Sequence, residues 1–299
     1  MFTQGHVIDR RYRVRSALGE GSGGQVYEVQ DLKAGTVLAL KIQQPRFLES
    51  TLAYRSYRRE VRREVRLGKS LSAVKGVVIP LDFGSYLDRV YFVMDRIEGS
   101  DLEDFTAREQ PVSSVRSAAA VAQLSAILDD LHSHGYVHRD IKPDNAMLSI
   151  KGEVRLLDLG SIARIGEVPR YPAGTPGYLP PEALDRPRAE ASLDVFALGC
   201  SMFRMLTMEP PFPNETGRPP RRRRLPIELL QHVDPVVRSI CVAMLEWEPG
   251  NRATAAEVRD ELTAVLPDAL APAPRRQNPD PVHWWWESLH RQEHTPVSS

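Results

Sequence analysis

A glycine-rich stretch near the start of the chain is the first segment whose residues could do chemistry. It reads Gly19-Glu20-Gly21-Ser22-Gly23-Gly24-Gln25-Val26. Glycines let a backbone approach a polyphosphate closely and present its N–H groups to it. The residues from Val26 to Val29 continue as a strand, whereas a dinucleotide fold requires a helix there. The stretch therefore predicts either a lid over phosphates or an ordinary flexible hairpin loop.

A lysine stands in the middle of an apolar strand-like sequence, Leu38-Ala39-Leu40-Lys41-Ile42. Its ammonium group either faces solvent or is aimed at the α- and β-phosphates of a nucleotide. In the second case the lysine needs a carboxylate to position it. The arginine-rich helical stretch that follows offers Glu60 and Glu64 on one face. We favour Glu64, because Leu67 and Leu71 follow it at core spacing.

Polar side chains are most concentrated in Tyr136-Val137-His138-Arg139-Asp140-Ile141-Lys142-Pro143-Asp144-Asn145. Ionisable and amide groups crowd into the last eight of these residues, between apolar neighbours, which is rare in a plain surface loop. A further carboxylate, Asp158, ends the apolar run Leu156-Leu157 and is followed by Leu159-Gly160. We interpret both segments as parts of a functional site.

The residues from His138 to Asn145 resemble the catalytic loop of the eukaryotic-type (Hanks-type) serine/threonine protein kinases, most of all the bacterial members. Asp158-Leu159-Gly160 stands where that family has Asp-Phe-Gly. Gly174 to Glu182 is similar to the substrate-facing loop of the family, with Pro180 in place of an alanine. The resemblance covers residues 10 to 266. It implies an α+β fold of two lobes: a small antiparallel sheet with one helix, and a large, mainly helical lobe.

The resemblance implies roles in catalysis for several residues. Asp140 would accept or orient the proton of the substrate hydroxyl, and Lys142 would steady the transferred phosphoryl group. Thr175 would form hydrogen bonds near both of them. His138 is expected to pack and to form hydrogen bonds, and neither to act as a base nor to bind a ligand.

The family's ATP and metal sites also map onto this sequence. Lys41 paired with Glu64 would position the phosphates, while Asn145 and Asp158 would bind Mg²⁺, with Mn²⁺ as the alternative ion. Phosphoryl transfer needs in-line positioning and neutralised charge, and it requires no covalent nucleophile. Met94 would lie at the back of the adenine pocket. The residues expected at the nucleotide are Leu18, Gly19, Glu20, Gly21, Ser22, Gly23, Gly24, Gln25, Val26, Ala39, Lys41, Met94, Asp95, Ile97 and Met147.

The substrate type is indicated by Lys142 and by Gly174-Thr175-Pro176, which resemble serine/threonine kinases and not tyrosine kinases. The implied substrate is a protein hydroxyl. A small-molecule kinase is a minor alternative, because such enzymes generally lack the Pro-Glu motif. A pseudokinase or ATP-binding scaffold is the main alternative. The joint presence of the four family residues argues against a scaffold; they are Lys41, Asp140, Asn145 and Asp158.

Three further residues are expected to support the larger lobe. By the resemblance, Glu182 would pair with Arg252, and Asp194 would brace the catalytic loop. We expect these acids to be structural, and loss of one partner of a buried pair costs about 3 to 5 kcal/mol.

Hydrophobic periodicity gives the elements that must position these residues. Alternation from Tyr12 to Ile42 predicts three strands, residues 53–71 predict a helix, and residues 77–83 and 90–94 predict strands. These elements would form a first lobe over 10–97, with a hinge at 98–100. A second lobe over 100–266 would contain helices at 113–134, 193–208, 227–230, 235–247 and 254–266. Residues 267–299 are expected to be a tail outside the domain.

Composition excludes some classes of protein. The 299 residues carry 39 Lys and Arg against 39 Asp and Glu, so no overall charge favours nucleic acid or an anionic membrane as a partner. The sequence has neither a signal-peptide pattern nor an apolar stretch of membrane-spanning length. Cys200 and Cys241 lie in apolar helical patterns and predict two buried thiols in a reducing compartment, although a disulfide stays open. We therefore expect a cytoplasmic protein.

The loop after Asp158 departs from many relatives, which are activated by phosphorylation there. Between Gly160 and Gly174 the only hydroxyl side chains are Ser161 and Tyr171. We hypothesise that the Arg139 side chain either contacts Glu167 or faces solvent. We also hypothesise that the loop is ordered either constitutively or by a partner.

Two segments could bind other proteins. Arg221 to Arg224 predicts either a solvated insertion or a docking site for an acidic partner. Trp284 to Trp286 would be costly to leave exposed, so it either folds back on the kinase or binds an unknown partner.

Overall fold

The structure of the chain is a computed structural model, and it describes residues 1–21, 24–44, 51–169, 173–185, 188–212, 224–268, 270–274 and 279–293. The chain forms two compact units. Unit 1 consists of Met1–Ala73, Val77–Ile97 and Asp158–Gly160. Unit 2 consists of Val74–Gly76, Glu98–Leu157 and Ser161–Ser299. In the part of the chain that is described, no helix combines the length and the apolar character needed to cross a bilayer.

Unit 1 contains an antiparallel sheet and, among its described residues, one helix. The strands are β1 (Val7–Ile8), β2 (Tyr12–Gly21), β3 (Gly24–Asp31), β4 (Val37–Gln43), β5 (Pro80–Tyr86) and β6 (Arg89–Asp95), and the helix is α1 (Thr51–Ser70). The strand order is β1-β2-β3-β4-β6-β5. The prediction of a small antiparallel sheet with one helix is therefore confirmed.

The two faces of this sheet are set by alternation along the strands, because successive side chains of a strand point to opposite sides. One face buries Tyr12, Val14, Tyr27, Val29, Leu40, Ile42, Tyr91 and Val93 in a single cluster. On the other face Val90 and Phe92 pack against Val61 and Val65 of α1, together with Met94. Lys41 pairs across the sheet with Phe92, so the lysine shares a face with the helix.

Unit 2 is mainly helical. Its helices are α2 (Leu102–Glu109), α3 (Ser114–Ser133), α4 (Glu182–Asp185), α5 (Ala191–Thr207), α6 (Pro235–Met244), α7 (Ala255–Thr263) and α8 (Pro281–Glu293). Helix α3 is buried nearly all round, and residues 118–122 have no exposed surface. Four of these five residues are alanines, whose small side chains let other elements approach the helix on every side. The predicted helical lobe is confirmed.

Short strands complete unit 2. They are β7 (Gly99–Asp101), β8 (Tyr136–Val137), β9 (Ala146–Ser149), β10 (Val154–Leu156) and β11 (Ala163–Arg164). β9 pairs with both β10 and β7, and β8 pairs with β11. Gly99 needs to be a glycine, because a Cβ atom there would lie 2.1 Å from the carbonyl oxygen of Leu148.

The structure corrects the sequence-based assignment of helices in four places. The four-residue helix α4 was not predicted. The predicted helix at 227–230 is a single 3-10 turn. Helix α2 was not predicted, although its first turn is marked by Asp101, whose carboxylate accepts a hydrogen bond from the N–H of Asp104. Helix α8 was also not predicted; it lies in the segment expected to be a tail, and it packs against α3.

The predicted thiols and the predicted buried ion pair are both present. Cys200 and Cys241 are free and buried. Arg252 forms an ion pair with Glu182 at 2.7 Å, and its side chain has no exposed surface. The same guanidinium donates to the carbonyl oxygens of Glu246 and Ser192. Arg252 thus connects α4 to the first turn of α5 and to the chain at residue 246.

We predict that Glu182→Gln lowers the free energy of unfolding by about 3 kcal/mol, because it leaves a buried guanidinium without its counter-charge. Urea denaturation followed by circular dichroism measures this change. Glu261→Gln is the matched control, since Glu261 is exposed on α7. Equal unfolding midpoints for the two variants would contradict the prediction.

Candidate active site

His138 is a buried hydrogen-bonding residue at the start of the polar loop. It follows β8, and it has no exposed surface. The ring accepts a hydrogen bond at Nδ1 from the N–H of Asp140 at 3.4 Å. At Nε2 it donates to the carbonyl oxygen of Leu157 at 2.9 Å. Both ring nitrogens are therefore engaged by backbone groups, as the sequence predicted for a packing residue.

Asp194, the predicted brace, holds the backbone of this loop. Its carboxylate accepts hydrogen bonds from the N–H groups of His138 at 2.8 Å and of Arg139 at 2.7 Å. Arg139 has a left-handed φ of 70°, a conformation that costs a non-glycine residue about 1 to 3 kcal/mol. A fully buried carboxylate with two N–H donors can offset such a cost. The predicted brace is confirmed.

His132 contributes to the same brace, although no sequence motif indicated this contact. Its Nε2 atom lies 3.0 Å from Oδ2 of Asp194. The histidine lies in the last turn of α3, and the aspartate lies in the first turn of α5. Only the packing of the two helices reveals this contact.

Three predicted catalytic residues meet at one hydroxyl group. Oγ1 of Thr175 donates to Oδ1 of Asp140 at 2.7 Å and accepts from Nζ of Lys142 at 2.7 Å. Nζ of Lys142 also lies 3.6 Å from Oδ2 of Asp140. The threonine thus bridges a carboxylate and an ammonium group that belong to a different segment of the chain. A pocket in unit 2 adjoins this group and is lined by Asp140, Thr175, Tyr178, Leu179 and Pro180 among others.

Asn145 is turned toward Asp140. Its Nδ2 atom donates to the backbone oxygen of Asp140 at 2.8 Å and to Oδ2 at 2.9 Å. The side chain is buried. Among the described residues, no group donates a hydrogen bond to its Oδ1 atom, so this amide oxygen is available to a cation. Amide and carboxylate oxygens are the ligands that Mg²⁺ prefers, and the predicted donor set fits such an ion.

In unit 1 Lys41 lies next to Asp158. Its Nζ atom is 3.5 Å from Oδ2 of the aspartate and 5.8 Å from the centre of the Phe92 ring. The other carboxylate oxygen accepts from the N–H of Gly160 at 3.1 Å. Asp158 has a left-handed φ of 64°, and the side chain of the next residue, Leu159, is fully buried. The hydrogen bond from Gly160 and the buried leucine together hold this turn in place.

Glu64 is buried near this pair, and Glu60 is exposed. Burial and the Asp158 carboxylate raise the pKa of Glu64 to about 7, while Lys41 and the N–H of Leu159 oppose the increase. The ion pair of Lys41 in the structure is nevertheless formed with Asp158 and not with Glu64. The predicted pairing of Lys41 with Glu64 is therefore replaced by two other contacts. Lys41 forms its ion pair with Asp158, and Glu64 accepts a hydrogen bond from the N–H of Leu159 in the Asp158 turn.

The sheet register places predicted nucleotide residues on one face. On β4, Lys41 lies opposite Val26 of the neighbouring strand β3, and Ala39 lies opposite Met94 of the other neighbour, β6. Leu18 on β2 is half exposed. Asp95 and Ile97 lie at and beyond the end of β6, Met147 lies on β9 of unit 2, and Ser22 and Gly23 fall outside the described residues.

The glycine stretch joins two paired strands, as predicted. Gly21 pairs with Gly24 at the end of the β2–β3 hairpin. A Cβ atom on Gly24 would lie 2.9 Å from the carbonyl oxygen of Ile42 and 3.2 Å from Cγ of Lys41. Glycine is therefore required for β3 to approach the lysine strand. Gln25 donates from Nε2 to Glu20 at 3.3 Å, which links the two sides of the hairpin.

Arg139 is not left to solvent. Its Nη1 atom donates to the carbonyl oxygen of Ser161 at 3.3 Å. The Glu167 carboxylate accepts a hydrogen bond from the N–H of Arg164 at 3.0 Å, which closes the turn after β11. Tyr171 lies outside the described residues.

The described residues contain no group of three or more His, Cys, Asp or Glu side chains arranged around a common point as metal ligands.

Curated proteins similar to the chain are kinases. The chain is 28% identical to the serine/threonine-protein kinase Pkn3 of Myxococcus xanthus, over 91% of this chain and 53% of that protein. It is 29% identical to PknB of Mycolicibacterium smegmatis, over 92% and 46%. It is 31% identical to the DNA damage-responsive kinase RqkA of Deinococcus radiodurans, over 84% and 38%. The chain spans about half, or less, of the length of these bacterial relatives.

Residues 12–262 match the model of the protein kinase domain. This match includes the glycine stretch, Lys41, the polar loop with Asp140 and Asn145, and the Asp158 turn. It also spans nearly all elements of both units except β1 and α8. The chain belongs to the protein kinase family and is similar to bacterial serine/threonine kinases of the Hanks type.

Proposed function

We propose that this protein is a serine/threonine protein kinase that transfers the γ-phosphoryl group of ATP to protein hydroxyls. The observation that carries the proposal is the Thr175 hydroxyl, which lies 2.7 Å from both Asp140 and Lys142. A carboxylate and an ammonium group held next to one hydroxyl suit phosphoryl transfer. The carboxylate can accept the proton that the substrate hydroxyl loses, and the ammonium group can neutralise the negative charge that develops on the phosphate oxygens.

Asp140 accepts or orients the proton of the substrate hydroxyl. Its carboxylate is held by Asn145, by Thr175 and by the loop that Asp194 anchors, so it is oriented before a substrate arrives. Lys142 neutralises charge on the transferred group. The hydroxyl of Thr175 fixes the distance between these two side chains.

Members of the protein kinase family use ATP and a divalent metal ion. For this chain we propose Mg²⁺, with Mn²⁺ as a substitute, bound by Asp158 and Asn145 with phosphate oxygens. When bound, the ion neutralises phosphate charge. Lys41 binds the α- and β-phosphates, and Glu64 positions it by holding the Asp158 turn. Adenine contacts Leu18, Val26, Ala39, Met94, Ile97 and Met147, while residues 19–25 cover the phosphates and Asp95 supplies backbone hydrogen bonds.

The preference for serine and threonine rests on Lys142 and Thr175. The names of the relatives support this preference, since Pkn3, PknB and RqkA are each named as serine/threonine-protein kinases. The substrate segment binds beside the pocket that Thr175, Tyr178 and Leu179 line.

An acidic protein partner stays a proposal for the arginine run. Arg224 is exposed, while Arg221 to Arg223 lie outside the described residues. For Trp284 to Trp286 we propose the first alternative, folding back on the kinase, because all three side chains are partly buried.

We expect Asp140→Asn to reduce phosphate transfer by about 10²-fold or more, because it removes the proton acceptor. Transfer of radiolabel from [γ-³²P]ATP to a generic basic protein measures this. Asp144→Asn, an exposed neighbour in the same loop, is the control and should retain activity. Equal labelling by wild type and Asp140→Asn would reject catalysis and favour an ATP-binding scaffold.

We expect Thr175→Ala to lower kcat roughly 10- to 100-fold, because two charge-assisted hydrogen bonds that fix the acid and the ammonium are lost. Thr175→Ser keeps the hydroxyl and should retain most of the activity. Steady-state kinetics at saturating ATP separate the variants. A kcat for Thr175→Ala equal to that of Thr175→Ser would show that the bridge does not contribute to the reaction.

We expect activity without phosphorylation of the loop at residues 161–174, because Arg139 already has an acceptor at Ser161 and a carboxylate closes the neighbouring turn. Intact-mass spectrometry of protein expressed with ATP, compared with phosphatase-treated protein, checks this. Ser161→Ala and Tyr171→Phe should both stay active. Stoichiometric phosphate in this loop that activity requires would overturn the prediction.

A further inference from the structure

Helix α8 crosses over a tight turn of unit 2 at Gly152. This glycine lies between β9 and β10 and has a left-handed φ of 89°. A Cβ atom there would lie 2.0 Å from the carbonyl oxygen of Asp280 and 3.0 Å from Cβ of Trp284. Any larger residue would therefore push the start of α8 away from the turn.

The segment before α8 is anchored to α3. Arg116 of α3 is buried, and its guanidinium donates to the carbonyl oxygen of Pro279 and binds the Glu109 carboxylate. Asp280 is buried as well, and its carboxylate accepts from the N–H groups of Val282 at 3.0 Å and His283 at 3.2 Å. These bonds satisfy free donors of the first turn, so α8 begins at a defined point on the surface of α3.

The tryptophans of α8 hold the helix against the preceding chain. Nε1 of Trp286 donates to the carbonyl oxygen of Ala271 at 3.0 Å, and its ring centre lies 4.1 Å from that of His290. The guanidinium of Arg291 lies over the ring of Trp284. The helix is thus packed along its length.

The Gly152 turn closes the hairpin that carries Met147. The N–H of Gly152 donates to Ser149 at 2.8 Å, and the N–H of Ser149 donates to Glu153 at 2.8 Å. Gln123 of α3 donates to the carbonyl oxygen of Gly152 at 3.1 Å and accepts from the N–H of Val154 at 2.8 Å. The turn is therefore held by both α3 and α8.

The sheet formed by β7, β9 and β10 depends on such support. Its strands contain three, four and three residues, which is too short for a sheet to be stable alone. Met147 pairs with Asp101 on one side and with Arg155 on the other. A displacement of the turn would shift the register or tilt of β9 and with it the Met147 side chain.

We propose that α8 and Gly152 are a positioning element for the nucleotide site: α8 fixes the β9–β10 turn, which places Met147 against the adenine of ATP. This inference rests on the proposed function, which assigns Met147 to adenine. Helix α8 lies outside the region that matches the family model, so the support is a feature of this chain's own C-terminal segment.

Two variants of the full chain disturb the contact from opposite sides. Gly152→Ala introduces the clash with Asp280, and Asp280→Ala removes the N-terminal anchor of α8. Each should raise KM for ATP by about threefold or more, with kcat at saturating ATP nearly unchanged. Titration with N-methylanthraniloyl-ATP should show the same loss of affinity. Lys151→Ala and Glu287→Ala are controls in the same turn and helix, and both should bind ATP like wild type.

The outcomes separate the inference from the proposed function. A lower unfolding midpoint with unchanged KM and nucleotide affinity in both variants would show that α8 only stabilises the fold, and would overturn the inference. If Gly152→Ala does not fold, Asp280→Ala alone decides between the same two results. Failure of the wild type to bind the nucleotide would instead contradict the proposed function.

Discussion

The candidate active site depends on the hydrogen bonds that the buried carboxylate of Asp194 accepts from the backbone. It accepts hydrogen bonds from two successive N–H groups, one of which belongs to a residue with a left-handed backbone. Without this acceptor, two donors and one strained residue would lie in the interior uncompensated. The direction of Asp140, which follows directly, is set by this arrangement.

The catalytic groups are then joined by side chains from distant parts of the chain. Thr175 is 35 residues from Asp140 and contacts both Asp140 and Lys142. In unit 1 the same principle holds for Lys41 and Asp158, which are 117 residues apart. In each case a charged group on a strand or loop contacts a residue from a distant segment of the chain. The positions of the charged groups in both lobes therefore depend on long-range packing.

Some of this could be predicted from residue order alone. Alternation along β2, β3 and β4 indicated the sheet, because one face of each strand is buried in an apolar cluster. The packing role of His138, the brace at Asp194 and the Glu182–Arg252 pair followed from the family motifs. Three helices were not predicted: α4 has four residues, α2 has eight, and α8 begins in a proline-rich segment whose composition is typical of a tail. A capping aspartate precedes α2 and α8, Asp101 and Asp280 respectively, and it was the available signal for those two helices.

By itself the sequence determined the kind of chemistry, because motif residues keep their order and spacing however the chain is packed. It also determined the strands and most helices, since the spacing of apolar residues that indicates them is a local property of the sequence. Only the tertiary structure decided which charges meet: Lys41 pairs with Asp158 while Glu64 binds the neighbouring turn. It also decided that the tryptophan segment folds back onto α3. Both outcomes depend on how far apart distant segments lie in space, which spacing along the chain does not specify.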